Sequence, residues 1–167
     1  MGRIDGPELK DKGEQPYAAI RTKTAMKDLP TVIPQSIGQV FEWLEKRGTS
    51  PSGPSFIRYL VINMATKLEI ELGFPVAKEM PGEGMVTTGV LPAGHYASLT
   101  YTGDYSGLMA ANATLLEWGA KKNLKWDTFE SKDGDGFGAR LEWYLVDPHD
   151  EPDPSKWKTE VAIRLAD

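Results

Sequence analysis

Glu142 and Tyr144 stand two residues apart in the segment Arg140-Leu141-Glu142-Trp143-Tyr144-Leu145-Val146-Asp147-Pro148. Alternation makes this segment a β-strand, with Leu141, Trp143 and Leu145 on one face and Arg140, Glu142, Tyr144 and Val146 on the other. The first face is uniformly apolar and suits a core. The second sets a carboxylate beside a phenol, which is the chemistry of a pocket for a flat organic cation: the acid supplies opposite charge and rings stack on the guest. An ionised carboxylate in a low-dielectric site is costly unless it protonates or finds a cation. Arg140, on the same face, is one alternative partner for Glu142, and a place on a solvated edge strand is another.

Other patterns that could do chemistry fall short. There are no cysteines, which excludes disulfides, thiolate metal sites and cysteine nucleophiles. His95 and His149 lie in different regions without carboxylates at ligand spacing, so no metal and no cofactor are expected. Gly134-Asp135-Gly136-Phe137-Gly138 lacks the Lys-Ser/Thr of a phosphate loop and precedes a strand. Asn112-Ala113-Thr114 matches a glycosylation acceptor but falls within an expected helix, where the match is coincidental. No serine-nucleophile motif is present.

The 167 residues suffice for one domain with a sizeable core, or for two small halves fused into one. The net charge of −5, with no basic cluster beyond Lys121, Lys122 and Lys125, makes nucleic acid a poor partner and mildly favours cations. No apolar run reaches the ~18–20 residues of a bilayer span, and Met1-Gly2-Arg3-Ile4-Asp5-Gly6 carries no hydrophobic core of the kind expected of a signal peptide. A cytoplasmic protein without a membrane partner is the simplest reading.

The elements that must hold Glu142 in place come in two similar sets. Residues 1–13 read as a loose polar lead-in. A strand from Tyr17 to Thr22 is followed by a helix beginning near Pro30 and Pro34, with Thr31 as its candidate cap, and Gly48 ends it. Ile33, Ile37, Val40, Phe41 and Leu44 give that helix one buried face. Phe56–Ile62 is a strand, and the alternating Leu68–Val76 is its hairpin partner. After a boundary at Pro81-Gly82-Glu83-Gly84 the same order recurs: a strand at His95–Tyr101, a helix with Leu108, Ala111, Leu115 and Trp118 on one face and Ser106 as cap, the 140–146 strand, and a last strand opened by Trp157.

The two halves share Glu-Trp pairs (Glu42-Trp43, Glu117-Trp118) and the tripeptide Tyr-Leu-Val (59–61, 144–146). Their offset drifts from 79 residues (Tyr17 to Tyr96) to 85 (Tyr59 to Tyr144) and 89 (Glu71 to Glu160). Loops at Asp133–Phe137 and His149–Ser155 would absorb the drift. The expected fold is therefore α+β: two β-α-β-β repeats, about 14–80 and 90–167, related by a pseudo-two-fold, with antiparallel sheets, two helices and a central groove. Tyr59 and Tyr144 would face each other across that groove, and Ile57 would be the apolar counterpart of Glu142. The alternative for both tyrosines is a place on the sheet surface with exposed hydroxyls. Trp43 and Trp118 are read as helix-to-sheet packing.

With the repeat in view, the sequence resembles the GyrI-like (gyrase-inhibitor-like) small-molecule-binding domain, also the effector-binding half of multidrug-responsive and AraC-type regulators. The resemblance runs from about Gln15 to the last residue and rests on Pro16-Tyr17-Ala18-Ala19-Ile20, Glu71–Val76, Pro92–Ala97, Glu142–Pro148 and Trp157–Ile163, taken in order. It implies a single domain over 14–167, an aromatic pocket with Glu142 at its floor, and ring contributions from Tyr59, Tyr144, Trp157 and Tyr105. It implies a stand-alone binder of aromatic, often cationic small molecules that sequesters or senses them, since no DNA-binding segment precedes Tyr17. Two alternatives come with it: a hydrolase of cyclopropane-bearing alkylating natural products using Glu142 with Tyr144 or Trp143, and an interaction module that inhibits a topoisomerase.

Overall fold

The computed structural model describes residues 2–63 and 67–167. Ten strands form one antiparallel sheet: β1 (Arg3–Lys12), β2 (Gln15–Thr24), β3 (Phe56–Ile62), β4 (Leu68–Pro75), β5 (Val86–Leu91), β6 (Gly94–Thr102), β7 (Thr128–Ser131), β8 (Gly134–Phe137), β9 (Arg140–Val146) and β10 (Lys158–Arg164). Two helices, α1 (Leu29–Lys46) and α2 (Leu108–Lys121), follow β2 and β6. No helix among the described residues is long and apolar enough to cross a membrane.

The strand order β1-β6-β10-β9-β3-β4-β2-β5 reads alike from either end, as a two-fold between β9 and β3 requires. Across that axis Phe56 pairs with Trp143, Ile57 with Glu142 and Arg58 with Leu141. Both helices lie on one face, because alternation sends equivalent residues of the two repeats toward each. Ala18 and Ile20 meet Val40 and Leu44 of α1, while Ala97, Leu99, Val161 and Ile163 meet Ala111 and Leu115 of α2. The opposite face carries its own cluster of Tyr17, Phe56, Tyr96, Leu141 and Trp143. Trp43 and Trp118 pack on the clusters beneath their own helices, as expected.

Residues 3–12 are not a loose lead-in. They form β1, paired along its length with β6 of the second half, and Ile4 packs on the α2 cluster. Conversely β5, which precedes β6 in the chain, pairs with β2 of the first half. Each half thus receives its outermost strand from the other, which ties the two together. The Asp133–Phe137 stretch is likewise not a loop: β7 and β8 form a hairpin whose second strand pairs with β3, through Val61 and Gly136. Gly134 sits at φ +146, a backbone that residues with a Cβ rarely adopt.

The helix boundaries differ in chemistry from the sequence reading. α1 starts at Leu29, with Pro30 in its first turn, Pro34 inside it and Thr31 no cap. Before α2, Asp104 rather than Ser106 does the capping: its carboxylate accepts from the Ser106 amide at 3.1 Å. Both helices end alike. Gly48 (φ +65) and Asn123 (φ +58) take the left-handed position, and the amides of Thr49 and Leu124 reach back to the carbonyls of Leu44 and Gly119.

Candidate functional site

Along β9 the expected alternation holds through Tyr144 and then breaks. Leu141 and Trp143 face the far cluster and Glu142 and Tyr144 face the helices, but Leu145 is 40% exposed. The pairing explains it: Thr159 sits opposite Tyr144 and Lys158 opposite Val146, so Leu145 is the extra residue of a β-bulge. The same slip occurs in β3, where Ile70 faces Tyr59 and Glu69 faces Val61, leaving Leu60 unpaired. The repeated tripeptide Tyr-Leu-Val marks two equivalent bulges, each directly after a groove tyrosine.

Between the helices, above β3 and β9, lies a cavity of about 1520 Å³. Drug-sized ligands usually occupy ~300–1,000 Å³, so there is room for a bulky guest. Its α1 wall is Ile33, Pro34, Ile37 and Phe41; its α2 wall is Leu108, Met109 and Asn112; its floor holds Tyr59, Arg140, Glu142 and Tyr144. The single buried stripe expected of α1 therefore divides, Val40 and Leu44 going to the sheet while Ile33, Ile37 and Phe41 form wall. Tyr105 and Trp157 reach the cavity from the short turns before α2 and β10. Tyr105 lies 4.8 Å from Trp157 and 5.8 Å from Tyr144, ring centre to ring centre, giving a continuous aromatic side. Met26, Phe41, Met109 and Leu145, all exposed, form an apolar rim.

Glu142 is 6% exposed. Asn112 Nδ2 donates to its Oε2 at 3.1 Å, and the Tyr59 and Tyr144 hydroxyls also favour the ionised carboxylate. Burial pushes the carboxyl above its ordinary range, and the Asn112 bond, the Arg140 charge and the two tyrosines only partly offset this. The tyrosines are driven well above their usual values, by burial first and by the Glu142 charge second, so they remain donors. Tyr105 is pushed up to about 12 by burial and then by Asp147 and Glu142. Arg140 forms no salt bridge with Glu142. Its Nη2 donates to Asn112 Oδ1 at 3.3 Å, so the amide stands between the two charges.

A GyrI-like small-molecule-binding domain model matches residues 6–166. The chain belongs to the GyrI-like family. The match begins nine residues before the Gln15 at which the resemblance was drawn, and so takes in most of β1. Among solved structures, the isolated EcmrR C-terminal domain shares 19% identity at a TM-score of 0.75, covering 99% of this chain and 98% of that one. The chain spans 57% of EcmrR as seen in its DNA complex. SAV2435 bound to tetraphenylphosphonium gives 9% identity and a TM-score of 0.65, with 97% and 94% covered. A structure described as a hydrolase from Listeria innocua gives 13% and 0.59, with 96% and 91% covered. At these identities the likeness speaks for the fold. Comparison with curated protein sequences returned no match.

Within this GyrI-like cavity the structure brings together Glu142, Tyr59, Tyr144, Tyr105 and Trp157. It does not bring in Ile57 or Trp143. Ile57 is Glu142's cross-strand partner, but it is 0% exposed and packs with Leu68, Ile70 and Leu72 beneath α1, so the apolar wall comes from Ile33 and Ile37 instead. Trp143 points to the opposite face, 5.0 Å from Phe56, and cannot assist chemistry at Glu142.

Sequence reasoning missed Asn112. With the Glu-Trp pairs aligned, it occupies in α2 the place Ile37 holds in α1, and a lone amide beside a buried stripe was the available signal. It also passed over the rim group Asp147, His149 and Asp150, whose ligand-capable atoms lie within 4.8 Å of one another. An Asx-type turn accounts for that grouping: Asp147 Oδ1 accepts from the amides of His149 and Asp150 at 2.9 and 3.1 Å.

Proposed function

We propose that the protein binds bulky aromatic, often cationic small molecules in this cavity, sequestering or sensing them, with Glu142 as the charge-recognising group. The observation that carries the reading is a carboxylate, 6% exposed and without a salt bridge among the described residues, on the floor of a 1520 Å³ aromatic and aliphatic cavity. Apolar burial supplies most of the affinity and stacking makes weak directional demands, which favours a range of ring systems. The family supports small-molecule binding, and tetraphenylphosphonium, the guest of SAV2435, is an aromatic cation. Hydrolysis, the activity of the Listeria protein's description, is the second reading, with Glu142 as base and Tyr144 as its partner.

Calorimetric titration with tetraphenylphosphonium and with neutral triphenylphosphine oxide tests the leading reading. The cation is expected to bind more tightly, and equal affinities would sink the charge role. A pH series sharpens it, because the phosphonium does not titrate. Only ionised Glu142 attracts the cation, and its carboxyl lies above the ordinary value. Affinity should therefore fall as pH drops through that raised value, by up to about tenfold per pH unit below it. The unliganded protein follows the opposite sign: a raised folded value means that Glu142's contribution to stability is present in the protonated form and lost as pH rises. Glu160 gives the contrasting case. Burial raises its carboxyl, but the Ser98 bond and the Lys12 and Lys10 charges outweigh that and leave it lowered, so its contribution is lost as pH falls.

A further inference from the structure

Arg3, Arg21, Arg47, Arg58 and Arg164 each have a carboxylate oxygen within 3.4 Å. Arg140, the remaining one of the six arginines, has no salt bridge among the described residues, although it is partly buried and lines the cavity. Of its five N–H donors, one reaches Asn112 Oδ1 at 3.3 Å, and the buried Nε has no partner among the described residues. Phe137 lies 4.8 Å from the guanidinium carbon and packs its plane. The same-face neighbour Glu142 is two residues along the strand, roughly 6–7 Å away at the backbone. Asn112, holding both with its two amide ends, keeps them from pairing directly. The cavity floor therefore presents two opposite charges side by side, neither neutralised by a direct ion pair.

We propose that the preferred guest is amphoteric: an aromatic cation that also carries a carboxylate, with its positive centre toward Glu142 and its carboxylate toward Arg140. This rests on the cavity being a cation site and adds the second pole. A planar guanidinium suits a carboxylate, which it can meet with two parallel N–H bonds. A guest carrying only positive charge would meet the Glu142 attraction and the Arg140 repulsion together. Burial lowers the Arg140 value, a cost that an incoming anion would relieve.

Rhodamine B and its ethyl ester supply the test, since they share a cationic ring system and differ in one free carboxylate. Fluorescence anisotropy is expected to find the acid about tenfold tighter than the ester on the wild-type protein. Arg140→Met should erase that gap by weakening the acid, and leave the ester as tight or tighter. Glu142→Gln should weaken both dyes and keep the gap, which separates failure of the cation site from failure of the second pole. An ester that binds wild type as tightly as the acid, absence of binding by either dye, or a gap that survives Arg140→Met overturns the proposal. The wild-type comparison stands even if Arg140→Met does not fold.

Discussion

Glu142→Gln is expected to weaken binding of tetraphenylphosphonium by about 10- to 100-fold while changing triphenylphosphine oxide by less than about threefold. The range corresponds to the ~1.5–3 kcal/mol that an interaction with a charged group typically contributes. Gln keeps the shape and an acceptor oxygen, so the walls of Ile33, Ile37, Tyr105 and Trp157 go on burying the guest. What disappears is the charge that burial has made expensive and that the Asn112 amide holds in place. The pH dependence of cation affinity should go flat in the same variant, because the group that titrates is gone. The melting temperature serves as control. Equal losses for cation and neutral compound would assign Glu142 to shape rather than to charge, and unchanged cation affinity would remove it from recognition.

Much of this site can be read from alternation in one strand, and the reasons are local. A two-residue period leaves no choice about which side of β9 carries Glu142 and Tyr144, and the 85-residue offset of the Tyr-Leu-Val tripeptides places Tyr59 across from them. The same period misplaced Leu145, because a bulge is an event in pairing and leaves no mark in composition. The edge strands β1 and β5 were missed for a related reason. β1 is mostly exposed or half-exposed, so its sequence lacks a buried face, and its place is set by hydrogen bonds to β6 more than eighty residues away. Asn112 was hidden by the opposite problem: its position inside a helix was clear, but its meaning depends on which residue of another element it meets.

The other large effect concerns the face of the sheet away from the cavity. Arg58→Met is expected to destabilise the protein by about 3–5 kcal/mol, the usual cost of leaving a buried charge without its partner. At roughly 2–4 °C per kcal/mol for a chain of this length, the melting temperature should fall by roughly 6–20 °C. Glu71 is 6% exposed and Arg58 Nη1 lies 3.3 Å from its Oε1. Tyr17 joins them, donating to Glu71 at 2.7 Å and accepting from Arg58 at 3.1 Å, with its hydroxyl pushed up to about 12 by burial first and by Glu71 second. The third arm of Arg58 explains why the effect should reach the cavity. Its Nη2 donates to the Gly138 carbonyl at 2.7 Å, just before β9 begins at Arg140, so the guanidinium anchors the strand that presents both floor charges. Adding Glu71→Gln to Arg58→Met removes the stranded carboxylate and should recover much of the lost stability, though not the Gly138 anchor. Differential scanning calorimetry on the two single variants and the double gives the coupling. If the double variant melts no higher than Arg58→Met, the loss comes from the anchor and the packed stem rather than from an unpaired acid, and the ion pair is not what stabilises this face.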